Sequence, residues 1–454
     1  MTRVFVLWDD SHLWGLLVLR FLRALRLPHK ILRAHDIAEG ALSGKPAAFC
    51  GTAGEGIADG GAHDAPPLLI VPGGWARGKA LRLGPAGVQA IRGFVAQGGC
   101  YLGFCGGAGL ALTSPRPGDS LGLCPWGRMG FAGRLQHFLS GDVRLALAPQ
   151  SGGLALPGAQ ELLGQVWWPA QFAPSGDKDG EGDGGVTVLA RYCGLGPDFQ
   201  VADLALARFP DEALSDWENL YGLQVRPHFL FGRPAVIAGT HGQGRYVLSY
   251  PHLETPDSPQ ANAWLAHLLH SLAGAHCAEA ASPPWRVGGA PPRWPDAALL
   301  AAKAAVEEVI ALGQEHLLLF WRNPWLLGWR RGIPGPGVNS LYALVCEALE
   351  CAPPAPGGPA AAFWEASREE FARLAALFRQ GVSGLLLAER LDMTVRQTPG
   401  MDGGDEVFAR SLRDMRAALF GLPPASGGVC GQMLAMLEEL LARAWEANGI
   451  QPTR

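Results

Sequence analysis

Three side chains that together can cleave an acyl bond stand in suitable surroundings. Cys105 sits within Gly103-Phe104-Cys105-Gly106-Gly107, where a short apolar run meets a glycine-rich bend. A strand-to-helix turn that tight strains the backbone of its apex residue, and it forms only if the neighbours lack side chains. The apex thiol is then pushed out over the end of the sheet, beside a helix N-terminus that favours the thiolate. His252 and Glu254 are separated by one residue, so an extended segment projects both from one face. Such a pair is a base with its orienting carboxylate, which a cysteine nucleophile requires. The third need is an oxyanion hole. Pro72-Gly73-Gly74 ends an apolar run and can expose backbone N–H groups, with the Gly106 N–H as the second donor. The same residues also admit a plainer reading: a buried cysteine at a glycine-rich strand end, a partly buried histidine and a common turn.

The elements expected around these residues alternate between strand and helix. Arg3–Trp8 reads as a strand, ended by the loop and cap signal Asp9-Asp10-Ser11, and Leu13 to Leu27 as a helix. Leu68–Val71 is a compact strand, Pro85 to Gln97 a helix stopped by Gly98-Gly99, and Cys100–Phe104 a strand followed by a helix from Gly106 to Leu112. Two strands, Ala235–Gly239 and Arg245–Ser249, flank a tight turn and lead directly into Tyr250-Pro251-His252-Leu253-Glu254. This alternation predicts an α/β fold: a flavodoxin-like, mostly parallel sheet with helices on both faces. Cys100 opens its strand and is expected to be inert core.

The strand ending in Val71-Pro72-Gly73-Gly74, the elbow Gly103–Gly109 and the segment Ser249–Glu254 carry a resemblance. Over about residues 1–273 the chain resembles the class I glutamine amidotransferase-like superfamily, in particular its biotin-protein-ligase N-terminal-like branch. The resemblance implies Cys105 as nucleophile on an amide, His252 as general acid/base and Glu254 as orienter. It implies Gly74 and Gly106 as oxyanion-hole amides, with Gly73 and Gly107 beside them as substrate-binding positions. Such domains usually carry Gln or Glu four residues after the cysteine, where this chain has Gly109. The expected reaction is cleavage of a C–N amide bond in a small amide substrate, through a thioester and with no cofactor. The alternative is a non-catalytic module of the same fold that binds a small ligand or regulates. Hydrolysis of peptides or small aldehydes is a third, more distant reading.

The chain has 454 residues and a formal net charge of -4, with no basic excess to suggest nucleic acid. Its nine cysteines are scattered with no C-x-x-C pair, which argues against a disulfide framework or a zinc ribbon and for a reducing compartment. No metal cluster is expected from the spacing of His, Cys and Asp. Two aspartates follow the first apolar run, and Arg20, Arg23 and Arg26 interrupt the next, so no signal peptide or membrane span is expected and the protein reads as cytoplasmic.

The expected organisation is a domain over 1–275, a Pro/Gly/Trp-rich linker over 276–296 and a helical domain over 297–454. Helices are predicted over Ala297–Leu312, Ala362–Phe378, Val407–Phe420 and Gly431–Trp445. This region lacks both a biotinyl-adenylate loop and a GxxxxGK[ST] loop, so it reads as no biotin ligase and as a module able to contact a protein partner. Leu317–Arg331, with three tryptophans and three arginines, reads as a Trp-rich interdomain contact broken by Pro324, with an interfacial membrane contact as the alternative.

Overall fold

The computed structural model describes residues 4–43, 65–116, 118–129, 138–149, 153–174, 185–222, 224–275, 281–329, 335–396, 406–422 and 427–447. The glycine-rich stretches 52–65 and 174–185 fall almost wholly outside the described residues. The chain forms two compact units, one built on Met1–Pro284 and the other on Trp285–Gln451.

The first unit opens with β1 (Val4–Leu7), α1 (His12–Ala24), β2 (His29–Leu32), α2 (Ala34–Ala38), β3 (Leu68–Val71), α3 (Ala76–Ala96), β4 (Cys100–Phe104) and α4 (Gly106–Ala111). There follow β5 (Gly127–Arg128), β6 (Leu139–Leu147), β7 (Glu161–Trp167), β8 (Phe172–Ala173), β9 (Thr187–Leu195), β10 (Gln200–Val201), β11 (Leu204–Ala205) and α5 (Asp211–Tyr221). The unit closes with β12 (Pro234–His241), β13 (Gly244–Ser249) and α6 (Pro259–Ala273).

Eleven strands share one sheet in the order β11-β10-β6-β9-β12-β13-β4-β3-β1-β2, with β7 paired to β6. From β2 through β1, β3 and β4 to β13 the pairs are parallel. The fold is therefore α/β around a parallel centre, as the strand–helix alternation predicts. Beyond β13 the sheet turns antiparallel: β12 pairs with β13 across the predicted tight turn, and β9, β6 and β7 carry the sheet on, an extension the sequence did not reveal. Leu68–Val71 is buried at every position, as a central parallel strand must be. Leu7, Leu69, Tyr101 and Leu248 join Ile37, Leu83, Ile91 and Leu110 of α2, α3 and α4 in one core. The alternate residues Val6, Ile70, Leu102 and Val247 are equally buried, so both faces of the parallel centre are covered.

Helix α3 starts nine residues earlier than Pro85. Gly84 takes φ 59 and ψ -179, so two helical pieces meet at a kink, and Pro85 begins the second piece. Pro85 thus marks a true helix start, while the run before it, with Gly78 and few large apolar residues, hides the first piece.

The second unit contains α7 (Ala297–Glu315), β14 (Leu319–Asn323), β15 (Leu326–Trp329), α8 (Gly335–Glu350), α9 (Pro359–Arg396), α10 (Glu406–Phe420) and α11 (Gly428–Ala447). It begins at Trp285, and both Trp285 and Val287 are buried. The Asp296 side chain caps α7 by accepting from the N–H groups of Ala298 and Leu299. Within the tryptophan-rich stretch, Leu319–Trp329 forms an antiparallel hairpin, with Pro324 in the turn between β14 and β15. Phe371, Phe378, Leu385, Val306 and Leu437 supply part of this unit's core. Among the described helices, only α9 is long and apolar enough to cross a membrane. It buries Trp364, Phe371, Leu374, Phe378, Val382 and Leu385, as a core helix of a globular unit does.

Candidate active site

The register of the parallel centre decides what meets at its edge. Val71 pairs with Gly103, and Phe104 with Ser249, so β3, β4 and β13 end side by side. The loops that follow them carry Pro72-Gly73-Gly74, Cys105 and Tyr250–Glu254. This is the carboxyl edge, where open α/β sheets bind their ligands.

Cys105 stands between β4 and α4 with φ 46 and ψ -105. A non-glycine residue in that region stores about 1–3 kcal/mol of strain and persists only where its surroundings over-determine it. Its N–H donates to the Ser249 carbonyl at 2.7 Å, which ties the elbow to the end of β13. A Cβ on Gly106 would come within 1.8 Å of the Gly74 carbonyl oxygen, and one on Gly107 within 2.0 Å of that of Val71. The glycines after the cysteine are thus required by backbone-to-backbone approach. Gly106 and Gly74 meet at the elbow, whereas Gly107 is buried under β3.

His252 and Glu254 form a buried pair. The imidazole Nδ1 donates to Glu254 Oε1 at 2.7 Å, and the two side chains are 1% and 0% exposed. The segment is pinned on both sides. The His252 N–H donates to the Gln165 carbonyl on β7 at 2.7 Å, and Asn262 Nδ2 donates to the carbonyls of Leu253 and Thr255. Trp14 of α1 stacks on the imidazole with ring centres 4.2 Å apart. A Cβ on Gly73 would lie 2.7 Å from His252 Cε1 and 3.0 Å from Trp14, so Gly73 lets its loop close on both rings.

Burial by itself disfavours a charged imidazole. The Glu254 carboxylate outweighs it, with further help from Cys105, and the His252 pKa is raised to about 10. The ring's other nitrogen, Nε2, is buried with no hydrogen-bond partner among the described residues. The Cys105 thiol donates to the Trp167 carbonyl at 3.9 Å, so it lies beside the ring while bonded elsewhere.

The predicted residues Cys105, His252, Glu254, Gly73, Gly74 and Gly106 thus gather at one sheet edge. Cys100 lies at the far end of its strand, buried, with burial pushing its thiol up to about 11. Sequence reasoning missed a set of tryptophans. Trp167 meets Trp14 edge-on at 5.8 Å, and Trp75 meets Trp168 at 5.0 Å. Trp75 directly follows Pro-Gly-Gly and could have been flagged. Trp167 and Trp168 end a strand that carries no local signal of its place in the sheet.

Near the edge the Asp9-Asp10-Ser11 loop is held from within. Lys79 is fully buried and donates to the carbonyls of Asp9 and Asp10 and to Ser11 Oγ, while Arg33 pairs with Asp9 at 2.6 Å. Among the described residues there is no group of three or more His, Cys, Asp and Glu side chains that could hold a metal ion. The edge brings together a thiol, an imidazole and a carboxylate, groups that acyl transfer can use.

No protein-family model matches the chain, and no curated protein matches it. Solved structures do align. A Thermoplasma acidophilum protein, provisionally named as part of a GMP synthase, aligns at 12% identity and TM-score 0.33, over 60% of this chain and 96% of its own. A ThuA-like protein of Bacteroides uniformis, also provisionally named, aligns at 12% and 0.34, over 59% and 89%. A cytoplasmic protein of Salmonella typhimurium aligns at 11% and 0.30, over 59% and 98%.

Proposed function

We propose that the first unit is a cysteine-dependent hydrolase of the amidotransferase type, acting on a C–N amide bond of a small substrate. The observation that carries this reading is the strained Cys105 beside a fully buried His252–Glu254 pair. Neither the strain nor the buried ion pair serves stability cheaply, and both are what a nucleophile and its proton carrier need.

In this reading the thiol proton of Cys105 already rests on His252 Nε2, whose charge Glu254 holds, and the thiolate attacks the amide carbonyl. The carbonyl oxygen, now negative, sits at the Gly74 and Gly106 N–H groups. The imidazolium, held by Glu254, gives its proton to the departing nitrogen as the C–N bond breaks. Water then attacks the thioester and gives a proton to His252, and the C–S bond breaks to release the acid and restore the thiolate beside the imidazolium. Gly73 keeps the ring and the loop in contact and so acts on substrate only through His252.

A second reading is favoured by one observation: the thiol is bonded to the Trp167 carbonyl while Nε2 lacks a partner. In that case the unit binds a small amide or carboxylate without turning it over. Selective alkylation decides between them. In the full-length protein, Cys105 is expected to react with iodoacetamide faster than any other thiol, with ammonia or amine released from a panel of amides. Cys105→Ala is expected to abolish both. Amide turnover by Cys105→Ala at the wild-type rate would overturn the assignment, and a flat panel with a ligand retained on purification would favour binding.

A further inference from the structure

Two chain segments that carry half-buried tryptophans meet the Cys105 elbow. Trp75 follows Gly74, whose carbonyl lies against Gly106 on one side of the elbow. Trp168 follows Trp167, whose carbonyl accepts from the Cys105 thiol. The two segments are joined by the Trp75–Trp168 ring contact at 5.0 Å, and both rings are only half-buried. Trp168 is itself held at φ 52, a conformation that a bulky residue adopts only under constraint. Trp14 and Trp167 complete the wall on the histidine side, with Trp14 flat on the imidazole.

Two positions near the elbow offer nothing to a free amino acid. The Lys79 ammonium, beside the Gly74 loop, is fully buried and already donates to Asp9, Asp10 and Ser11. At position 109, four residues after the cysteine, glycine offers no side chain to hold a polar substrate. Aromatic rims bind flat apolar groups through area and through edge-to-face contact with a ring quadrupole.

Building on the amide-cleaving assignment above, we propose that Trp75 and Trp168 form a subsite for an aromatic group next to the scissile carbonyl, so that the substrate is an aryl-bearing amide and not glutamine. Trp14 acts differently: it stacks on His252 and is a positioning residue for the ring.

The test compares two chloromethyl ketones that share one warhead. One carries a benzyl group, and the other carries the amino-acid end of glutamine. Alkylation of Cys105 in the full-length protein is followed by peptide mass, and each rate is divided by that of iodoacetamide, which carries no ring. The benzyl reagent is expected to react about tenfold faster than the glutamine-like one. In Trp168→Ala and Trp75→Ala its rate relative to iodoacetamide is expected to drop about tenfold, while Trp168→Phe keeps most of it. A glutamine-like reagent that matches or beats the benzyl one overturns the subsite and leaves the nucleophile standing. So do tryptophan variants in which both rates fall together, the sign of a merely structural role. Failure of Cys105 to react with any of the three reagents overturns the amide-cleaving reading as well.

Discussion

At His252 burial and a neighbouring charge pull in opposite directions, and the charge wins. Because the His252 pKa is raised from 6.5 to about 10, the folded protein holds this proton where the unfolded chain has lost it. The stabilisation is therefore complete below pH 6.5 and is lost as the pH rises through about 10. The melting temperature of the first unit is expected to fall between neutral pH and pH 10. In Glu254→Gln the fall should be much shallower, because the amide cannot hold the imidazolium. Equal slopes in the two proteins, measured by calorimetry across that range, would mean that His252 is neutral in the fold. The His-x-Glu spacing was legible because extended chain fixes it locally, through the two-residue period of the backbone. The Trp14 stack was not, since it joins residues on α1 and beyond β13 that no local pattern relates.

The strand–elbow–helix element β4–α4 explains why its glycines differ in tolerance. A methyl group on Gly106 meets the Gly74 carbonyl at 1.8 Å, and neither backbone can retreat without breaking the register of β3 against β4. Gly106→Ala is expected to destabilise the first unit by at least about 3 kcal/mol, or to leave it insoluble. Gly109 faces only the Ala76 methyl at 3.6 Å, an ordinary contact. Gly109→Ala lies within α4 and is expected to be neutral or to stabilise by up to about 1 kcal/mol. Chemical denaturation of the two variants checks the contrast, and equal effects would mean that the elbow is looser than described. The glycines of this element announced the elbow because tight backbone approach allows nothing else. The antiparallel strands β6, β7 and β9 carried no such mark, since their partners are far away in sequence and packing alone selects them.

For the whole molecule, each unit buries its own apolar core. The first surrounds its parallel sheet with fully buried residues such as Trp8, Leu69 and Trp264, and the second packs Phe371, Phe378 and Leu437. Separate expression of residues 1–284 and 285–454 is expected to give two folded proteins, each with a cooperative thermal transition. The second should be predominantly helical by circular dichroism. If either fragment remains unfolded on its own, the division fails. The proline- and tryptophan-rich stretch near this boundary was visible in composition. Its division between the units was not, because it rests on distant contacts such as the hydrogen bond from the Val287 N–H to the Pro324 carbonyl.

By itself the sequence determined the α/β class, the elbow at Cys105 and the pairing of His252 with Glu254. Each follows from local rules: strand–helix alternation, glycine where backbones nearly touch, and side chains that repeat every second residue. Only the tertiary structure decided that these pieces lie at one sheet edge, because strand register across β3, β4 and β13 sets that. It also brought tryptophans from α1, the loop before α3 and the end of β7 into contact with one another and with His252. Those contacts join residues up to 238 positions apart, from Trp14 to His252. Long-range packing chose them, and no stretch of sequence contains that choice.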